Sequence, residues 1–109
     1  MNAGKLRHRI ELQSFTTVND SYGQGTKTWT TYTVNGTVYA QIVPLQGREL
    51  LQAQQISAKV NHRIRIRYHS AVENEHRILF GVRIFEINAI VNFEERNIYH
   101  DLYCTEIVS

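Results

Sequence analysis

The sequence predicts a mainly β domain: a small antiparallel β-barrel or sandwich with one short helix. Three observations predict it. Apolar and polar residues alternate with a period of two, as at Ile10 and Leu12 against Arg9, Glu11 and Gln13, and at Ile64 and Ile66 against Arg63, Arg65 and Arg67. Short runs of this kind recur between turn-forming residues, the mark of hairpin-connected strands. Only one stretch, Gly47 to Ser57, is built from strong helix formers. A closed sheet would also leave no unpaired edges. The 109 residues form one domain, residues 1–109, with room for one modest core.

Each element has a local cause. The first strand carries His8, Ile10 and Leu12 on one face. Asn19 to Gly25 is rich in Asn, Asp, Ser and Gly, which adopt turn geometries cheaply. Thr26 to Thr33 is dense in Thr, Trp and Tyr, which favour strands. Asn35-Gly36 predicts a two-residue hairpin, since both residues tolerate positive φ, joining that strand to Thr37–Val43. Pro44 lacks an N–H for the ladder and ends the strand. Leu50, Ala53 and Ile56 recur near helical spacing in Gly47–Ser57, although no good N-cap residue precedes Arg48. Lys59 to His69 is the clearest strand, with Val60, His62, Ile64, Ile66 and Tyr68 facing one way. Ser70 to Arg77 is polar and reads as a loop. Ile78-Leu79-Phe80 is a short strand ending at Gly81. Val82 to Phe93 is apolar on both faces, as in a central strand or one covered by a partner. Asn97 to Val108 is the last strand.

Composition narrows the function classes. Apolar residues make up 42% of the chain, which suits a folded domain. No apolar run approaches the roughly 18 residues that span a bilayer, and the sequence predicts no signal peptide. The single cysteine, Cys104, can form no intramolecular disulfide, which fits a reducing compartment. The net charge of +2 hides an asymmetry. Residues 1–70 hold nine Lys or Arg and three Asp or Glu, a balance of +6; residues 71–109 hold three and seven, a balance of −4. Either the halves mix and the field averages out, or the subunit is polarised and its basic face meets an acidic one.

Chemistry-bearing motifs are missing. His8, His62, His69, His76 and His100 fall in no closely spaced metal pattern. The sequence has no phosphate loop and no nucleophile elbow. His100 and Cys104 on one strand would stand about 13 Å apart, too far for a base to activate a thiol. Adjacent Glu94 and Glu95 would point to opposite faces of a strand. No catalytic, cofactor or metal residue is therefore assigned. The aromatics Trp29, Tyr32, Tyr39 and Tyr68 form no obvious stacking platform.

Arg63, Arg65 and Arg67 form a ladder with rungs about 6–7 Å apart. Three like charges repel, so they need water, cross-strand carboxylates, the acidic face of another subunit, or phosphates. They are the candidate electrostatic interface.

Read in order, the local signatures carry more than any one of them. They are G-K-L-R-H-R-I-E-L-Q (Gly4 to Gln13), D-S-Y-G-Q-G (Asp20 to Gly25), Trp29, Y-A-Q-I-V-P-L-Q-G-R-E (Tyr39 to Glu49) and A-Q-Q (Ala53 to Gln55). H-R-I-R-I-R-Y (His62 to Tyr68), R-I-F-E-I-N-A-I-V-N (Arg83 to Asn92) and C-T-E (Cys104 to Glu106) follow. In this order the chain resembles the head-closure, or head-tail joining, proteins of tailed bacteriophages, from about Gly4 to Glu106. The resemblance implies a small β-barrel with one short helix and no enzymatic activity. It also implies a ring of twelve identical subunits in the virion, assembled in the host bacterial cytoplasm. Such a ring would sit beneath the portal and its adaptor, retain packaged double-stranded DNA and offer a surface to a tail-completion or tail-terminator protein, with no membrane and no cofactor. Arg65 departs from the pattern by adding a charge to a strand that already carries two. A tail-completion ring protein and a single-strand nucleic-acid-binding barrel are the alternatives.

Within this resemblance Leu45 to Ser57 is the candidate channel or ring-interface segment. It holds Gln46, Gln52, Gln54 and Gln55, with Arg48 and Glu49 as its only charges. Neutral amides can bond between subunits or to DNA without strong phosphate capture. The alternative is a plain surface helix covering one barrel end.

Overall fold

Seven strands and one helix make up a computed structural model that describes residues 6–19, 23, 25–92 and 95–107 of the chain. In chain order they are β1 (His8–Asn19), β2 (Gly25–Thr31), β3 (Thr37–Pro44), α1 (Gly47–Gln54), β4 (His62–Arg67), β5 (Arg77–Phe80), β6 (Arg83–Asn92) and β7 (Tyr99–Ile107). Gly4 and Lys5, most of the turn expected over Asn19 to Gly25, Phe93, Glu94 and Val108 lie outside the described residues.

All pairings are antiparallel, and the circuit β1-β3-β4-β7-β6-β5 closes back on β1. The fold is thus a closed six-stranded barrel rather than a sandwich. Closure abolishes the exposed edges of those strands. β2 stands outside the circuit. It pairs with the second half of β1, from Gln13↔Thr31 to Asn19↔Gly25, and Thr16 to Asn19 and Gly25 to Thr28 are exposed on both faces.

The hairpin expected at Asn35-Gly36 is not one. β2 and β3 do not pair with each other; both bond to β1 along one edge. The Leu12 N–H donates to Gly36 O at 2.7 Å, and Leu12 O accepts from the Tyr32 N–H at 2.9 Å. β1 runs twelve residues, long enough to serve both neighbours in turn. Residues 32–36 loop out between them. Asn35 takes the positive φ (51°) that its short amide side chain tolerates. Gly36 is required for a different reason: a Cβ there would stand 2.3 Å from Tyr32 O.

Alternation fills the barrel. Ile10, Leu12, Ala40, Ile64, Ile66, Val72, Ile78, Phe85, Ile87, Leu102 and Cys104 form one buried cluster. The two-faced apolar pattern of β6 has a geometric cause. A register shift between Ile87 and Ala89 inserts Asn88 as a bulge. Phe85 and Ile87 point inward before it, and Ile90 packs against the same core after it.

α1 sits outside the barrel. Leu45, Ala53 and Val60, with Leu50 and Tyr103, form a second cluster that seats the helix near β4 and β7. As expected, Gln46 supplies no side-chain cap. Ile56 does not join Leu50 and Ala53, because the helix ends at Gln54 and leaves Ile56 57% exposed. β4 is shorter than the expected 59–69, and Tyr68, expected on the apolar face, lies beyond its end and is exposed.

Candidate interaction surface

Polar residues of β3, β4 and β7 meet on the outer wall of the barrel. Arg65 pairs in register with Gln41 on one side and Asp101 on the other. Its guanidinium makes two parallel bonds to the Asp101 carboxylate, Nε to Oδ1 at 2.5 Å and Nη2 to Oδ2 at 2.7 Å. Both residues are almost covered, Arg65 9% and Asp101 5% exposed. The hydrogen bonds to Asp101 hold the Arg65 guanidinium still more firmly protonated, against the opposing effect of burial. Arg63, half-buried, pairs with Glu49 of α1. Arg67 remains exposed.

The three rungs therefore differ. One is sealed within the sheet, one is tied to the helix, and Arg67 faces solvent. The sequence allowed cross-strand carboxylates for the ladder but did not single out Asp101, nor the pairing of Glu49 with Arg63. The signal for Asp101 was there: a lone carboxylate amid Tyr99, Leu102, Tyr103 and Cys104 needs a cation to be buried. Among the described residues, Gln41 Oε1 and Arg63 Nε are buried without a hydrogen-bond partner.

The predicted segment Leu45–Ser57 divides as well. Glu49 is committed to Arg63 and Ala53 to the second cluster. Gln46, Arg48, Gln52, Gln54 and Gln55 are exposed, and so is Leu51, at 67%. Neutral amides and two apolar side chains, Leu51 and Ile56, thus make up much of the free surface here.

Cys104 and Tyr32 are tied into the fold. Cys104 is fully buried and its thiol donates to Leu102 O at 3.3 Å; burial pushes its pKa well up, so the nucleophilic thiolate is suppressed. The Tyr32 hydroxyl bonds to His76 Nδ1, and His76 Nε2 lies 3.4 Å from Glu73. Burial, then Glu73, pushes the Tyr32 pKa up to about 12, the reverse of an activated phenol. Among the described residues, no group of three or more His, Cys, Asp or Glu could hold a metal ion. Trp29 is capped by Arg77, 4.4 Å from its ring centre, and Lys27 sits 4.4 Å over Phe15, so these aromatics of β1 and β2 are already stacked on cations.

Two histidines make stability depend on pH. Burial lowers the pKa of His62, reinforced by Arg83 and opposed by Glu106. Burial also lowers that of His100, reinforced by His69 and opposed by Asp101. A histidine held below its unfolded value binds fewer protons folded than unfolded, so stability rises with pH. Its neutral form is fully favoured above the unfolded pKa of about 6.5 and penalised below it. Glu106 adds the same sign, since its hydrogen bonds to Arg83 hold it below the usual carboxylate range. Thermal melts are expected to show the Tm falling between pH 7.5 and pH 5. A flat or rising profile on acidification would contradict this.

Comparison with known proteins bears on the family and the fold. A family model described as phage head completion protein matches residues 1–107. Head completion protein gp7 of Enterobacteria phage HK97 is 30% identical over 78 residues, which is 72% of this chain and 67% of that protein. Two solved structures share the fold. One is the solution structure of protein SF1141 from Shigella flexneri 2a, with a TM-score of 0.73, 24% identity, and 97% of this chain and 96% of that one covered. The other is a chain of the virion of a native gene transfer agent particle, with a TM-score of 0.64, 20% identity and coverage of 95% and 97%.

Proposed function

From the premise that this chain belongs to the phage head completion protein family, we propose that it forms a twelve-copy ring docked beneath the portal and its adaptor. It is a structural component of the phage head–tail neck. The ring assembles in the host cytoplasm after packaging, retains the DNA and presents the surface to which a tail-completion or tail-terminator protein attaches. The family match over residues 1–107 carries this reading, since it takes in both the barrel and α1. It also favours head completion over the tail-completion alternative.

The outer surface of α1 and its flanks, Gln46 to Ile56, is the ring-facing or channel-facing element in this reading. Gln46, Gln52, Gln54 and Gln55 offer neutral hydrogen bonds, and Leu51 and Ile56 offer apolar area not used within the chain. A channel that must hold DNA and then release it gains from amides, because cationic phosphate contacts bind strongly. Removing Gln52 to Gln55 would also remove Ala53 and unseat the helix, so substitution is the cleaner test. Phage carrying Leu51→Asp with Ile56→Asp are expected to fill their heads yet lose DNA or fail to join tails. The titre should drop about a hundredfold, the scale of losing an interface anchor. Full heads with normal infectivity would remove α1 from the interface.

A further inference from the structure

The chain-order charge split survives in space. The N-terminal strands β1, β3 and β4 are neighbours on one side of the barrel, and the C-terminal strands β7, β6 and β5 are neighbours on the other. β3 and β6 stand three strands apart in either direction round the circuit, so they are opposed. Ion pairing within the chain removes Arg63, Arg65 and Arg83 from the balance, together with Glu49, Asp101 and Glu106.

On the β3 side an aromatic residue sits between two cations. Arg9 pairs in register with Tyr39, and Tyr39 and Arg67 line one groove of about 320 Å³ with Leu6 and Val38. Arg9 and Arg67 are exposed, and Tyr39 is 60% exposed. Tyr and Arg are the residues that anchor protein interfaces. Glu11, on β1 beside Arg9, is the acid at this margin. On the β6 side, Glu75 and Glu86 line a cavity of about 210 Å³ with Ile107, Trp29, Lys27 and Arg77. Lys27 and Arg77 keep their charge there, Arg77 in register with Glu86, stacked on Trp29 and donating to Gln13, so that with Glu73 the wall carries three carboxylates against two cations. Glu75, Glu86 and the nearby Glu73 are exposed, as is Ile107.

We infer that the Arg9–Tyr39–Arg67 face of one copy docks on the Glu75–Glu86 face of the next. This rests on the ring reading above and specifies its contact. The occupant is a second copy of this chain because the complementary charge is on the opposed wall of the same molecule. Like faces repel, so the polarity disfavours a two-fold dimer and selects the head-to-tail contact that generates rings.

Charge reversal tests it on portal–adaptor particles imaged by electron microscopy. Wild-type rings must form first; their absence would sink the ring reading itself. Arg9→Glu with Arg67→Glu in one chain, and Glu75→Lys with Glu86→Lys in another, should each cut ring formation about tenfold or more, since each places like charges together. An equimolar mixture of the two should restore rings, because alternating copies match at every contact. Wild-type rings with no rescue by the mixture would overturn the inference and leave the ring standing. Oligonucleotide binding by the wild type, lost with the arginines, would assign the face to nucleic-acid phosphate instead. Cysteine trapping does not depend on how well reversed charges fold. Tyr39→Cys copies mixed with Glu86→Cys copies should cross-link to each other on the particle, whereas Tyr39→Cys copies alone should not. Cross-linking of Tyr39→Cys to itself would overturn the head-to-tail contact.

Discussion

Asp101→Ala is expected to destabilise the barrel by about 3–5 kcal/mol, because it strands the covered Arg65 guanidinium without its carboxylate. The intact pair need contribute little net stability, since desolvating two charges offsets most of their attraction. The asymmetry lies in breaking it. Arg65→Met with Asp101→Leu in one chain should therefore be close to wild type or more stable. Urea unfolding checks both: the midpoint of the single variant should fall at unchanged slope, and that of the double variant should hold. Arg67→Gln is the control on the same strand, exposed and expected to shift stability by under about 0.5 kcal/mol. Equally small effects of Asp101→Ala and Arg67→Gln would return Arg65 to a solvated face.

The contrast shows which features strand periodicity can reveal. Alternation placed Ile64 and Ile66 in the core and the arginines on the other face, because side-chain direction in a strand is local. What covers that outer face is not local. Asp101 reaches Arg65 across 36 positions of sequence and Glu49 reaches Arg63 across 14, so the residues around β4 could not disclose them. The Asn35-Gly36 hairpin failed for a related reason. Its residues are suited to a tight turn, but the long β1 offers backbone partners to both flanking strands, and that competition is non-local. Barrel closure was legible only as a preference, since it depends on the three-residue meeting of β1 and β5. The helix was legible because its residue types are unlike the rest of the chain; the exposure of Ile56 was not, because it depends on where the last turn ends. For the candidate surface, the sequence supplied the exposed amides of α1. The opposed charged walls emerge only when strand order is known.

The second large effect is expected at Phe85, one of the largest fully buried side chains. Phe85→Ala should cost about 3–5 kcal/mol, from lost transfer energy and a cavity that a closed barrel cannot easily collapse. For a domain of this size each kcal/mol is worth roughly 4–8 °C, so the Tm should drop by about 12 °C or more. Phe85→Leu keeps most of the volume and should cost about 1–2 kcal/mol. The site also has a second readout. The Phe85 ring packs edge-on to His62 with centroids 5.2 Å apart, and Arg83 lies 5.0 Å over it. Burial is the main reason that the His62 pKa is low. Removing the ring lets water reach the imidazole, so the His62 pKa should move upward toward its ordinary value, as followed by its ring-proton shifts against pH. The acid-side loss of stability should then shrink by the His62 share while the His100 share remains. A large fall in Tm with an unmoved His62 titration would mean that the barrel closes over the cavity, and that Phe85 supplies volume without shielding the histidine.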